Sequence, residues 1–264
     1  MSTYIAKPTD GIAWITGASS GLGYKAAVLL AKDGWTVAAT ARSANDLQSL
    51  AEECSDFSGQ IIVATGDVTN QAQMVALSKE LISQYKSISL VVLNAGVYLP
   101  LRASELRLED FDKTFAVNLN GVTNCLVPVL EHMKAIGRGQ IAITSSVAGY
   151  GGLPTSAAYG ATKAALTNMA ASLKFDLDLM NIHIQIVHPG FVDTPATQSN
   201  PFPMPFLMHV DDAAKRLVKG LKSRSFEITF PKRFTYWLKA INLLPYPIYF
   251  WVVKRATGWG NKAP

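Results

Sequence analysis

The chain has 264 residues, 49% of them hydrophobic and only 16% charged, which suits one large α/β domain or two small ones and excludes a disordered polymer. Its net charge of +5, from 24 basic and 19 acidic residues, is mild: it fits attraction to an anionic membrane, nucleic acid or phosphorylated ligand, or nothing beyond solubility. Only two cysteines occur, Cys54 and Cys125, both in segments that read as helical and without C-x-x-C spacing, so a metal ribbon is excluded and a reducing, cytoplasmic setting is expected.

The predicted elements alternate strand and helix from the first residues onward. Gly11 to Thr16 is a short apolar strand, and Tyr24 to Lys32 a helix stopped by Asp33-Gly34. Trp35 to Ala41 is a strand, Leu47 to Glu53 a helix and Gln60 to Gly66 a strand. Helix Gln71 to Gln84 precedes strand Ile88 to Leu93. A long helical stretch from Leu108 to Ala135, with Pro128 as a candidate kink, leads to strand Gln140 to Thr144. Helix Ala157 to Met180 is followed by strand Ile182 to Val187, an irregular stretch from Thr194 to Pro205, helix Val210 to Lys222 and strand Phe226 to Phe230. The polar N-terminus carries no secretory pattern, and no run of about 20 apolar residues is free of charge, so no spanning helix is expected.

Several strands are unbroken apolar runs, as suits a parallel sheet covered on both faces. The alternation therefore predicts a single-domain, Rossmann-type doubly wound α/β sheet of about seven strands flanked by helices. That domain spans residues 1–231, and residues 232–264 form a basic, aromatic, helical tail.

Between the first strand and the first helix stands Thr16-Gly17-Ala18-Ser19-Ser20-Gly21-Leu22-Gly23. A diphosphate at this position needs close backbone approach and donors from a helix N-terminus, and glycines permit both. The second strand ends in Thr40-Ala41-Arg42-Ser43, without the carboxylate that would take the ribose 2′-hydroxyl of NAD. Arg42 is instead placed to hold a 2′-phosphate, so NADP(H) is expected ahead of NAD(H).

With these residues in place the chain resembles the short-chain dehydrogenase/reductase family over roughly residues 10–230. The resemblance rests on the glycine turn, Asp67-Val68, Asn94-Ala95-Gly96, Asn118 within Val117-Asn118-Leu119, Ser145-Ser146, Tyr159-x-x-x-Lys163, and Pro189-Gly190 with Thr194 four residues on. Leu93 departs from it, standing where many relatives carry a further asparagine. The resemblance implies a catalytic tetrad of Asn118, Ser146, Tyr159 and Lys163; Ser146 is preferred to Ser145 for its spacing from Tyr159. It implies cofactor contacts from Gly17, Ser19, Ser20, Gly21, Leu22, Gly23, Arg42 and Ser43 at the turn and the second strand end. Asp67 and Val68 would flank the adenine, Asn94, Ala95 and Gly96 would line the cofactor beneath the ribose, and Pro189, Gly190, Val192 and Thr194 would reach the nicotinamide together with Tyr159 and Lys163.

These residue types suit interconversion of a carbonyl and an alcohol. Hydride delivery to a ketone or aldehyde makes an alkoxide that needs a proton, which a phenol can supply although tyrosine ordinarily titrates near ~10. Lys163 lies one helical turn from Tyr159, and its charge, with that of oxidised nicotinamide, is expected to lower the phenol pKa. Ser146 would stabilise charge growing on the substrate oxygen, and Asn118 would hold a water that reconnects Lys163 to solvent. A non-catalytic nucleotide sensor has no need of Tyr159 and Lys163 together; among enzymes, a hydroxysteroid or 3-oxoacyl reductase stands beside a general carbonyl reductase. The histidines (His132, His183, His188, His209) show no metal spacing, and His188 reads as structural.

The segment from Phe191 to Met208 is expected to cover the site, with Phe202, Met204, Phe206, Leu207 and Met208 forming either an apolar pocket wall for a lipophilic substrate or a subunit contact. In the tail, rings interleaved with basic residues from Lys232 to Arg255 suit a helix lying in a membrane interface, an oligomer contact or a helix over the substrate mouth. A homodimer or homotetramer is expected. Nucleic acid is not, because the basic residues are scattered.

Overall fold

In the computed structural model, which describes residues 4–195, 197 and 204–259, the alternation closes into one sheet. Its strands are β1 (Ile12–Thr16), β2 (Thr36–Thr40), β3 (Gln60–Val63), β4 (Ile88–Leu93), β5 (Gly139–Thr144), β6 (Ile182–Pro189) and β7 (Glu227–Phe230). They lie in the order β3-β2-β1-β4-β5-β6-β7 and every neighbouring pair is parallel. Every residue of β1, β4, β5 and β6 is buried, as in strands covered on both faces, and in β6 that includes His183 and Gln185.

Helices α1 (Gly21–Lys32), α2 (Ala44–Glu53) and α7 (Val210–Leu221) lie among residues that form one core, with Leu30, Leu47, Leu50, Leu217 and Phe230 in it. Helices α3 (Gln71–Tyr85), α5 (Gly121–Ile136) and α6 (Ala157–Leu179) contribute to the other, around Trp14, Met74, Met133 and Leu166. The sheet thus has apolar packing on both faces, the doubly wound α/β architecture expected from the sequence. Two of its buried polar side chains tie its elements together. The Trp14 indole N–H donates to Thr40 Oγ1 at 2.8 Å, and the Gln185 amide donates to the carbonyls of Gly220, Ser223 and Ser225 where α7 ends.

Two sequence expectations are corrected. The stretch read as one helix from Leu108 to Ala135 is α4 (Leu108–Phe115), one π-helical turn (Ala116–Asn120) and α5, because the ladder widens where Asn118 turns inward. Strand β3 ends at Val63 rather than Gly66, although Ala64 and Gly66 still donate to the carbonyls of Ala39 and Ala41. The tail is two helices, α8 (Lys232–Ile241) and α9 (Tyr246–Thr257), seated on a small core of their own with Val147. Cys54 and Cys125 are both buried free thiols, which burial pushes up to about 11 and about 12 respectively. No helix among the described residues is long and apolar enough to cross a membrane.

Trp14→Phe tests how tightly β1 and β2 are coupled through this core. The change leaves a void and strips Thr40 Oγ1 of its donor, and is expected to cost about 2–4 kcal/mol. The shift of the urea unfolding midpoint at constant slope measures it.

Candidate active site

The chain runs outward from β1 through β2 to β3 and then returns to the far side of β1, so the sheet reverses its winding between β1 and β4. Loops leaving the strands on either side of such a reversal diverge and open a crevice at the strand ends. Here that crevice is a cleft of about 840 Å³. The loop after β1 brings Gly17, Ser19, Ser20, Gly21 and Leu22 to it; Arg42 comes from the end of β2, Asp67 and Val68 from beyond β3, and Asn94, Ala95 and Gly96 from beyond β4. Ser146, from beyond β5, and Tyr159 and Lys163, from α6, line the same cleft, as do Pro189, Gly190, Val192 and Thr194.

The glycine turn is pressed against β4. Gly17 and Gly21 have φ of +70° and +58°, and a Cβ on Gly17 would fall 2.7 Å from the Ala95 Cα. The Thr16 hydroxyl accepts the backbone N–H groups of Asn94 and Ala95, both at 3.1 Å. The Asn94 amide in turn donates to the carbonyls of Thr16 and Gly17, both at 3.3 Å. Ser20 places no side-chain cap on α1, so the first N–H groups of that helix open toward the cleft lined by Ser19 to Leu22. This bare, donor-rich cradle fits the diphosphate of a dinucleotide.

Three predicted residues lie outside the lining. Gly23 is buried behind the turn, where a Cβ would meet the Gly17 carbonyl oxygen at 2.3 Å; its smallness serves helix packing. Ser43 caps α2, accepting the Asp46 N–H at 3.3 Å. Asn118 is wholly buried beneath the cleft: its amide donates to the Val97 carbonyl (3.0 Å) and Thr162 Oγ1 (3.2 Å) and accepts the Val97 N–H (2.8 Å). Both amide protons are therefore used within the protein, and the side chain braces the loop after β4.

The remaining polar groups converge. Lys163 is 3% exposed and donates to the Thr144 carbonyl at 2.8 Å; burial lowers its ammonium to about 8. Its Nζ stands 5.5 Å from the centre of the Tyr159 ring, whose other neighbour is Tyr98 in an edge contact at 5.0 Å. Burial raises the Tyr159 pKa above the ordinary phenol range, and its hydrogen bond with Ser146 offsets only part of that rise. Desolvation sets the direction of the shift in the protein alone, whereas the expected lowering counted the charge of oxidised nicotinamide as well. Ser145 also borders the cleft, but its hydroxyl donates inward to the Lys163 carbonyl at 2.7 Å, whereas that of Ser146 meets Tyr159.

Of the segment from Phe191 to Met208, Phe202 lies outside the described residues. Met204, Phe206, Leu207 and Met208 do not line the cleft, against the first of the two readings, a pocket wall. Met208 bridges to Val192 and joins the sheet core, and the Phe206 ring packs on Phe234 of α8 at 5.7 Å. Val97, Tyr98 and Leu99, which no motif marked, line the cleft instead.

Comparison with known proteins fits this geometry. The sequence profile of the short chain dehydrogenases matches residues 11–202. The chain belongs to the short-chain dehydrogenase family. An oxidoreductase of Myxococcus xanthus is 35% identical over 237 residues, covering 90% of this chain and 94% of that protein. A 3-oxoacyl-(acyl-carrier-protein) reductase of Thermotoga maritima is 34% identical over 187 residues, covering 71% and 76% of the two chains. Among solved structures, an alcohol dehydrogenase of Thermococcus sibiricus complexed with 5-hydroxy-NADP superposes with a TM-score of 0.76 at 29% identity, covering 83% of this chain and 95% of that one. A 3-ketoacyl-(acyl-carrier-protein) reductase of Brucella melitensis complexed with NADH gives 0.73 at 26% identity, covering 83% and 96%. The protein is thus an oxidoreductase of a family that binds nicotinamide dinucleotides.

This short-chain dehydrogenase also carries a polar cluster that its motifs did not reveal. His188, buried at the end of β6, sets Nδ1 2.7 Å from Glu227 Oε1 and Nε2 3.0 Å from Thr167 Oγ1. Thr167 donates to the Lys163 carbonyl at 2.9 Å. Glu227 also accepts from the Tyr150 hydroxyl at 2.8 Å and pairs with Lys239 of α8. Burial lowers the His188 pKa despite Glu227. The sequence offered only the pair His188-Pro189 as a signal, since Glu227 and Lys239 lie far along the chain.

Burial alone would raise the Glu227 carboxyl, but His188, Lys239 and Tyr150 together hold it down at about 2 against an ordinary 4.5. A carboxyl so depressed adds stability in full above pH 4.5, and that stability is lost as pH falls toward 2. Glu227→Gln is therefore expected to destabilise by roughly 2–3 kcal/mol at pH 7, with the gap narrowing below pH 4.5. Unfolding curves of both proteins across that pH range check it.

Proposed function

We propose that this short-chain dehydrogenase is an NADP(H)-dependent carbonyl reductase, interconverting a ketone or aldehyde and an alcohol on a lipophilic substrate. The observation that carries the reading is the meeting of Ser146, Tyr159 and Lys163 in the cleft that the glycine turn enters. A nicotinamide dinucleotide, when bound, supplies the hydride in reduction and takes it up in oxidation.

The protein's own groups divide the remaining work. Backbone N–H groups from Ser19 to Leu22 would hold the diphosphate, Asp67 and Val68 would flank the adenine, and Thr194 would hold the nicotinamide end. Arg42 holds the 2′-phosphate, at a strand end with no competing carboxylate. Lys163 spends one proton on Thr144 and keeps two for the ribose hydroxyls. Ser146 donates to the substrate oxygen. Tyr159 would give that oxygen its proton in reduction and take it back in oxidation. Tyr98, Leu99 and Val192 line the cleft and favour an apolar carbonyl substituent, and the 3-oxoacyl reductases among the relatives make an acyl thioester an early substrate to try.

Tyr159→Phe is expected to lower kcat for NADPH oxidation by about 10²–10⁴-fold while the NADPH Kd stays within twofold. Undiminished turnover would refute the assigned role. Arg42→Ala is expected to raise the NADPH Kd about 10–100-fold and leave that of NADH nearly unchanged. Equal losses for both cofactors, read by fluorescence titration, would remove the case for NADP(H).

A further inference from the structure

Helices α8 and α9 carry a surface that the cleft does not use. Each buries one side: Phe234, Leu238 and Ile241 from α8 and Tyr249 and Val253 from α9 pack around Val147, and the Tyr249 hydroxyl donates to the Gly152 carbonyl at 2.9 Å. The opposite sides are bare. Tyr236 and Trp237 of α8 are exposed, as are Ile248 and Phe250 of α9; Leu243 between the helices is 86% exposed, Tyr246 76% and Trp251 63%. So many large apolar side chains in one stretch of surface mark an interaction site rather than the scatter any surface shows.

The charges on this surface have one sign. From Lys232 to the end of the chain the sequence contains no aspartate or glutamate. Lys232, Arg233, Lys254 and Arg255 are all exposed. Helical spacing sets Phe250 and Trp251 beside Lys254 and Arg255 on the outward side of α9, and Arg233 beside Tyr236 and Trp237 on α8. The Arg255 guanidinium stands 5.9 Å from the Trp251 ring.

We infer that this surface docks on an anionic lipid bilayer. Aromatic rings suit the headgroup depth, exposed leucine and isoleucine the acyl boundary, and lysine and arginine the lipid phosphates. A second copy of the chain fits less well: an isologous contact would bring this all-basic face against its own like charges, where self-association needs charge self-complementarity. The attachment is peripheral, since neither helix can cross a membrane. The inference stands apart from the reaction proposed above, because it uses no cleft residue.

Co-sedimentation of the full-length protein with vesicles tests it. Vesicles of equal parts phosphatidylcholine and phosphatidylglycerol are expected to take down the protein, pure phosphatidylcholine far less, and added salt to weaken the binding. Lys254→Glu with Arg255→Glu, and separately Phe250→Ala with Trp251→Ala, are each expected to lower the partition coefficient about tenfold or more at an unchanged melting temperature. Should either variant melt early, quenching of the wild-type tryptophans by brominated lipid in the anionic vesicles gives the answer: quenching supports docking and its absence overturns it. Failure to sediment, or equal binding to both vesicles, overturns the inference. So does light scattering in which Phe250→Ala with Trp251→Ala halves the mass of a protein that ignores vesicles, for then a second copy covers the face.

Discussion

The hydroxyl of Thr16 takes two backbone N–H groups from the loop after β4, and the Asn94 side chain returns two bonds to the loop after β1. These four bonds clasp the strands where the sheet reverses, the place at which divergent loops would otherwise be free to part. With the clasp closed, Gly17 lies against Ala95 and the next residue, Gly96, is carried between Asn118 and Lys163. A Cβ there would stand 3.4 Å from Asn118 Oδ1 and 3.6 Å from Lys163 Nζ. The glycine cradle and the buried lysine are thus held in one frame by hydrogen bonds that neither could make alone.

That frame has to offset the cost of burying an ammonium group. Among the described residues no carboxylate forms an ion pair with Lys163; a backbone carbonyl takes one of its protons, and its pKa falls to about 8. The strain of placing Asn118 is met in the backbone, by a π-turn that redirects one side chain without ending the helix. Thr162 and Thr167, on successive turns of α6, bind Asn118 on one side and His188 on the other, so that the helix carrying Tyr159 and Lys163 is gripped along both edges.

Much of this was legible in the residues. Apolar runs in β1 and β4 announced strands covered on both faces, and the ordered motifs from Thr16 to Thr194 announced a common cleft. What escaped was whatever depends on burial or on distant partners. Helical periodicity passes smoothly through residues 108–135, so nothing betrayed the π-turn. Sequence shows that Lys163 is one turn from Tyr159 but not how dry the phenol is, and desolvation decided the sign of its shift. The apolar residues Phe206 and Met208 were visible as such, yet only the tertiary fold shows that one packs on α8 and the other on the sheet core.

The relay from Lys239 through Glu227, His188 and Thr167 to the Lys163 backbone makes the last helices more than an appendage. A chimera that exchanged tails between relatives at residue 231 would carry Lys239 away from Glu227 and leave a carboxylate in the interior with one partner fewer. The natural seam for recombination therefore lies upstream of β7, where carboxylate and lysine travel together. A change in the tail is felt, through that one carboxylate, by the helix that carries Tyr159 and Lys163.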